Sequence, residues 1–168
     1  MPACGAMNAA HLTLRFGPTR LRADVYWAGT SAPSVSLVLA DELAPHDPLV
    51  RDCLVVALPG HHARAEQLGM LGWLAEHAAE LGAASDRLLV AGGARAALLA
   101  IAVRDQEWPV LHRQLLVHPR FNPGCPMPSL LSGVAPATVV HRQDGRDHGR
   151  RYAARLREAG VEVEEIRR

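Results

Sequence analysis

The stretch DRLLVAGGARAALLA, residues 86–100, runs from an apolar strand through two glycines straight into an apolar helix. Its first half, 87–91, has no polar residue alternating with the aliphatic ones, the pattern of a strand covered on both faces. Gly92 and Gly93 allow a tight turn. The segment 94–103 that follows is almost wholly apolar, so it is expected to be a buried helix. Such a strand, turn and helix is the repeating unit of an α/β sheet. Ligands of these sheets collect at the carboxyl ends of the strands, where helix N-termini present unpaired N–H groups. Neither the GxGxxG spacing of a dinucleotide site nor the GxxxxGK[ST] spacing of a phosphate loop is present.

Working outward, Leu68, Leu71, Leu74, Ala75, Ala78 and Leu81 recur at intervals of three and four. They predict a helix over 65–81, stopped by Gly82. A third, amphipathic helix is expected over 147–159, ending at Gly160. Nearly continuous apolar runs at 35–40 (VSLVLA), 53–58 (CLVVAL), 114–118 (QLLVH) and 138–141 (TVVH) read as further central strands. Residues 12–16 and 22–27, parted by Gly17-Pro18-Thr19, read as an antiparallel hairpin, and 161–166 alternates as an edge strand does. The proline-rich stretch 119–136 reads as a loop, the remnant of a lid. The predicted architecture is α/β: about seven strands, mostly parallel behind an antiparallel N-terminal hairpin, with helices on both faces and no large cap. A single domain over 1–168 is expected, with 1–10 as a flexible N-terminus.

Composition narrows the function classes. All 18 positive charges are arginines, and 17 carboxylates nearly cancel them to a formal net charge of +1. Nucleic acid is therefore not an expected partner, because phosphate binding needs a surplus of positive charge on one face. The three cysteines, at 4, 53 and 125, form neither a disulfide framework nor a CxxC zinc site. No apolar run approaches the ~18 residues of a membrane span, and the N-terminus lacks the charged start and apolar core of a signal peptide. The expectation is a cytoplasmic protein without membrane contact, metal or cofactor.

Residues 73–93, WLAEHAAELGAASDRLLVAGG, are followed in order by RDQEWPVLHRQLLVHP at 104–119 and PATVVHRQDGRDHGRRYAARLREAGVEVEE at 136–165. In content, order and spacing this series resembles the hormone-sensitive-lipase-like branch of the α/β-hydrolase family, bacterial esterases whose helix rich in Leu, Ala, Glu and His precedes a strand ending in Gly-Asp-Ser-Ala-Gly. The resemblance covers about residues 70–165 well and 24–58 loosely. It implies the α/β-hydrolase fold.

The family's chemistry does not follow with it. The nucleophile elbow Gly-x-Ser-x-Gly holds a serine where a histidine can take its proton. The matching residues here are Gly92, Gly93, Ala94, Arg95 and Ala96, which puts a methyl group at the nucleophile position. Where the family carries its His-Gly-Gly-Gly oxyanion motif, this chain reads Ala40-Asp41-Glu42-Leu43, and a carboxylate such as Asp41 would oppose a developing oxyanion. Asp144 corresponds to the triad acid, with one residue fewer than the family has before the next helix. The family's triad histidine lies beyond the final strand, and the sequence reads no further than Arg168.

Other groups are read first as ordinary structure. The adjacent His61 and His62 follow a strand end, where loop solvation is the simpler reading than metal binding. His141, Asp144, Asp147 and His148 form a denser cluster, in which the acids serve as helix caps more readily than as metal ligands. Cys53 starts a buried strand; Cys125, Ser129 and Ser132, in the proline-rich loop, are the nucleophiles left to a surviving esterase. The arginines at 146, 150, 151, 155 and 157 read as a surface paired with Glu158, Glu162, Glu164 and Glu165. Trp73 reads as packing, and Trp108 has no visible partner pattern.

The sequence thus predicts a pseudo-esterase acting as a scaffold, a regulatory partner or a binder of a small acidic ligand. The ligand is expected at Gly92, Gly93, Ala94, Arg95 and Asp41. Self-pairing, or pairing with an intact hydrolase, is expected through the last strand, where a charge at Val163 should separate the copies without unfolding them. The alternative is a carboxylic-ester hydrolase with a nucleophile foreign to the family.

Overall fold

A computed structural model of the chain describes residues 8–27, 34–39, 47–48, 50, 52–58, 60, 62–141 and 148–168. The 87–91 run is the central part of strand β5 (Ala84–Gly92). Before it come β1 (Asn8–Phe16), β2 (Thr19–Trp27), β3 (Ser34–Leu39), β4 (Cys53–Leu58) and helix α1 (Arg64–His77); after it come α2 (Ala94–Gln106), β6 (Arg113–Val117), β7 (Ala137–His141), α3 (His148–Glu158) and β8 (Val163–Arg167). The eight strands form one sheet in the order β1-β2-β4-β3-β5-β6-β7-β8. β1 and β2 form the expected hairpin, and β2 runs antiparallel to β4. Every other pairing is parallel.

The expectation of about seven strands becomes eight. Residues 8–10, expected in a flexible N-terminus, pair with Trp27, Tyr26 and Val25. They complete the hairpin register, which alternation in 12–16 alone does not reveal. α3 ends where Gly160 takes a φ of 78°. The Val161 N–H returns to the Leu156 carbonyl and the Gly160 N–H to that of Arg157, satisfying helix-end acceptors. α1 ends at His77, short of the 65–81 span, but further turns carry the chain to Gly82.

All three described helices lie against one sheet face, so the expectation of helices on both faces is met on one only. Leu54, Val56, Leu88, Val90, Leu116 and Val139 point to that face and form the main core with Leu71, Leu74, Leu99, Tyr152 and Leu156. The alternate residues Cys53, Val55, Ala91, Leu115, Val117 and Val140 form a second, smaller cluster on the reverse face. The physical reason is connection handedness. From β4 to β5, β5 to β6 and β7 to β8 the chain always moves the same way across the sheet, and right-handed crossovers then place every helix on one side. The stretch 119–136 is a loop as expected, with a single bridge between Asn122 and Cys125 as its regular pairing, and no cap is built there.

Candidate functional site

Parallel strands end together, so the carboxyl edge of the sheet gathers the groups that matter. Gly92 pairs with Leu39 of β3 on one side and Leu116 of β6 on the other. α1, α2 and α3 all begin at this edge, each directing the positive end of its dipole toward it. Gly92 is buried and has a φ of 144°, a conformation open to glycine at little cost. Gly93 caps α2 with φ −86° and ψ −143°, and accepts the Ala96 N–H at 3.1 Å. Ala94 is 7% exposed and opens the helix.

A nucleophile elbow is a sharp, strained turn that pushes a hydroxyl into the open. Here the positive φ lies on Gly92, and Ala94 is not among the residues with positive φ. Gly93 and Ala94 thus offer no side-chain oxygen, and Ala94 starts α2 without a positive φ.

Of the expected ligand-binding residues, the turn brings together Gly92, Gly93, Ala94 and Arg95. Arg95 is half-buried and engaged with its surroundings. It stands close enough to Cys125 for its charge, like that of Arg64, to favour the thiolate, but burial is the stronger influence and leaves that thiol above its ordinary pKa. The proline-rich loop thus reaches back toward the start of α2. Asn122 shapes the loop, its Oδ1 accepting the N–H groups of Gly124 and Cys125 at 2.9 Å each. Asp41, Asp144, Asp147, His61, Arg146 and the 40–43 segment lie outside the described residues.

The remaining candidates separate into structural roles. His62 faces Glu66 one helical turn away at 3.5 Å. His141 is buried against Glu165, whereas His148 accepts the Phe121 N–H through Nδ1 at 2.9 Å. Among the described residues no group of three His, Cys, Asp or Glu could hold a metal, and no described helix is long and apolar enough to cross a membrane. Burial, and secondarily the charge of Asp52, push the Cys53 thiol up to about 11, so it is protonated and inert at neutral pH. Trp73 stacks on His77 with ring centroids 4.5 Å apart, the packing role expected of it.

The terminal arginines pair as expected only in part, through Arg157 and Glu165. Glu162 and Glu164 are engaged by Arg113 of β6, at 3.2 and 3.7 Å. Within α3, Arg157 reaches Glu165, while Arg155 bonds the Ser129 carbonyl at 3.3 Å. Arg104 near the end of α2 also escaped the sequence reading. Its Nη1 donates to the carbonyls of Leu130 and Ser132 at 3.0 Å each. An arginine closing the apolar run 96–103 was the available signal.

The strand order, the parallel core behind an antiparallel hairpin and the glycine turn between β5 and α2 together define the α/β-hydrolase fold. The chain superposes on a thermostable esterase from Pseudomonas putida with a TM-score of 0.81 and 19% identity, over 99% of this chain and 74% of that one. An esterase of Pyrobaculum calidifontis matches with a TM-score of 0.79 and 20% identity, over 96% of this chain and 75% of the other. A thermophilic carboxylesterase cloned from a metagenomic library matches with a TM-score of 0.77 and 20% identity, over 96% of this chain and 78% of that one. At these identities the likeness is one of fold. No protein-family model and no curated protein matches the sequence.

Proposed function

We propose that the chain is a pseudo-esterase: a hydrolase-like domain without ester hydrolysis, acting as a scaffold, a regulatory partner or a binder of a small acid at the carboxyl edge. One observation carries the reading, the methyl group of Ala94 at the head of α2, where a relative with an intact elbow has its serine. A methyl group can neither attack a carbonyl nor hold an acyl intermediate. The same edge suits an anion, because Arg95 stands beside a helix N-terminus preceded by two glycines. The partner role uses β8, the last strand of the sheet.

The alternative, an esterase with a nucleophile foreign to the family, has Cys125, Ser129 and Ser132 to draw on. Ser132 is a poor choice, since Arg104 holds its carbonyl ten residues down α2 from Ala94, about 15 Å along the helix. The deciding experiment is turnover of short-chain p-nitrophenyl esters by the purified protein, with a fluorophosphonate probe, intact-mass readout and a heat-denatured control. Neither turnover above the control nor an adduct is expected. Turnover with a one-to-one adduct would overturn the reading, and peptide mapping would name the nucleophile.

A further inference from the structure

We propose that the open groove between the 121–127 loop and the outer face of α3 binds a small organic carboxylate with an apolar body. This site is separate from the glycine turn, and the proposal does not rest on the loss of catalysis. The groove, open to solvent, offers about 690 Å³, a volume of the size of small-molecule sites (~300–1,000 Å³). Phe121, Met127 and two prolines form one wall; Ala154, flanked by Arg151 and Arg155, forms the other, with His148 at one end.

The groove is built before any ligand arrives. The Phe121 ring packs 5.0 Å from Tyr152 and 6.5 Å from His148, centroid to centroid. The Phe121 N–H donates to His148 Nδ1 at 2.9 Å, so the loop is tied to the helix that faces it. That bond also leaves Nε2 as the protonated nitrogen of a neutral His148 ring, a donor in keeping with an anionic guest. Fixing both walls in advance removes part of the ordering cost of binding.

Charge selects the guest. Among the described residues no carboxylate lines the groove. Arg151 makes no hydrogen bond or ion pair among the described residues, and Arg155 commits a single N–H to the Ser129 carbonyl. Four residues apart, the two guanidinium groups lie on the same helix face and repel each other, a strain that one anion between them would relieve. A carboxylate can accept paired N–H bonds from such donors. Phe121, Met127 and Ala154 would cover a hydrocarbon body, which a bare inorganic anion lacks.

The test is calorimetric titration of the whole chain with octanoate, alongside octan-1-ol and inorganic phosphate. Octanoate should bind saturably, one to one, and more tightly than either control. Arg151→Ala combined with Arg155→Ala should weaken it by about tenfold or more. Ala154→Trp, at an exposed position, should do the same by filling the groove while keeping both arginines. Arg95→Ala should leave this binding unchanged. The proposal is overturned by absence of octanoate binding, by equal affinity for either control, by unaltered affinity in both groove variants, or by loss in Arg95→Ala alone, which would place the ligand at the glycine turn.

Discussion

His141 Nε2 lies 2.8 Å from Glu165 Oε2, joining the carboxyl end of β7 to the edge strand β8 beneath α3. The histidine is only 1% exposed, and the second carboxylate oxygen of Glu165 accepts from Arg157. Burial pulls the Glu165 pKa upward, but the Arg157 guanidinium and His141 together outweigh it and hold the carboxyl below its ordinary 4.5. A depressed folded pKa means stability that is present above 4.5 and is lost as pH falls through the lowered value. Glu165→Gln should cost about 1 kcal/mol at neutral pH and shrink the acid-induced loss of stability. Urea unfolding between neutral pH and pH ~3 checks both; an unchanged acid limb would show that other carboxylates control it.

Gly72, inside α1, lies under the Trp108 ring so closely that a Cβ there would stand 2.6 Å from Cζ3. Gly72→Ala should gain up to ~1 kcal/mol of helix propensity while pushing the half-exposed indole into water. The expected signature is a red-shifted tryptophan emission with little net change in stability. In a Trp108→Ala background the same substitution should stabilise by about 0.5–1 kcal/mol, and an equal effect in both backgrounds would refute the contact.

The Tyr152 hydroxyl is buried without a hydrogen-bond partner among the described residues. Its ring fills the core beside Phe121, so the hydroxyl rather than the ring is the costly part. Tyr152→Phe should raise stability by as much as ~1 kcal/mol, measured by chemical denaturation. A loss of similar size would reveal a partner for the oxygen.

Cys53 should resist alkylation at pH 8, because its thiol, at about 11, is almost wholly protonated. Mass spectrometry after iodoacetamide treatment of the native protein should find it unmodified. Rapid labelling would mean that β4 opens readily.

The Ala137 N–H bonds the Glu162 carbonyl and the Arg168 N–H bonds that of His141. Even-numbered residues of this segment therefore face β7, and by alternation the N–H of Arg167 faces the open edge. Arg167→Pro should leave the ladder intact while blocking strand addition, halving the mass of any self-paired form in light scattering. An unchanged dimer mass would rule out pairing through β8. The charge expected at Val163 to separate the copies without unfolding them is a poorer probe, because that side chain packs against the main core.

What the sequence made legible was what local pattern encodes. The 87–103 unit stood out because strand, turn and helix are contiguous and almost wholly apolar. Helix sidedness escaped, since it depends on strand order and crossover direction, which no single run carries. The groove at Arg151 and Arg155 escaped for a related reason. Nearby glutamates suggested mutual pairing, yet Glu162 and Glu164 point across the sheet to Arg113, some 50 residues away along the chain by the 113-to-162 separation. Charge proximity in sequence is a poor guide once strand alternation sends neighbouring side chains to opposite faces.

At the glycine turn, the positive φ at Gly92 and the ordinary helical start at Ala94 bear on whether a nucleophile could be built there. Strained backbone persists only while its surroundings hold it in place. A serine placed at position 94 would add an oxygen to a turn without a positive φ at the residue that carries it, so one substitution would supply the atom and not the geometry. Installing a nucleophile here is thus a task for backbone redesign: the turn and its side chain have to be changed together, not one after the other.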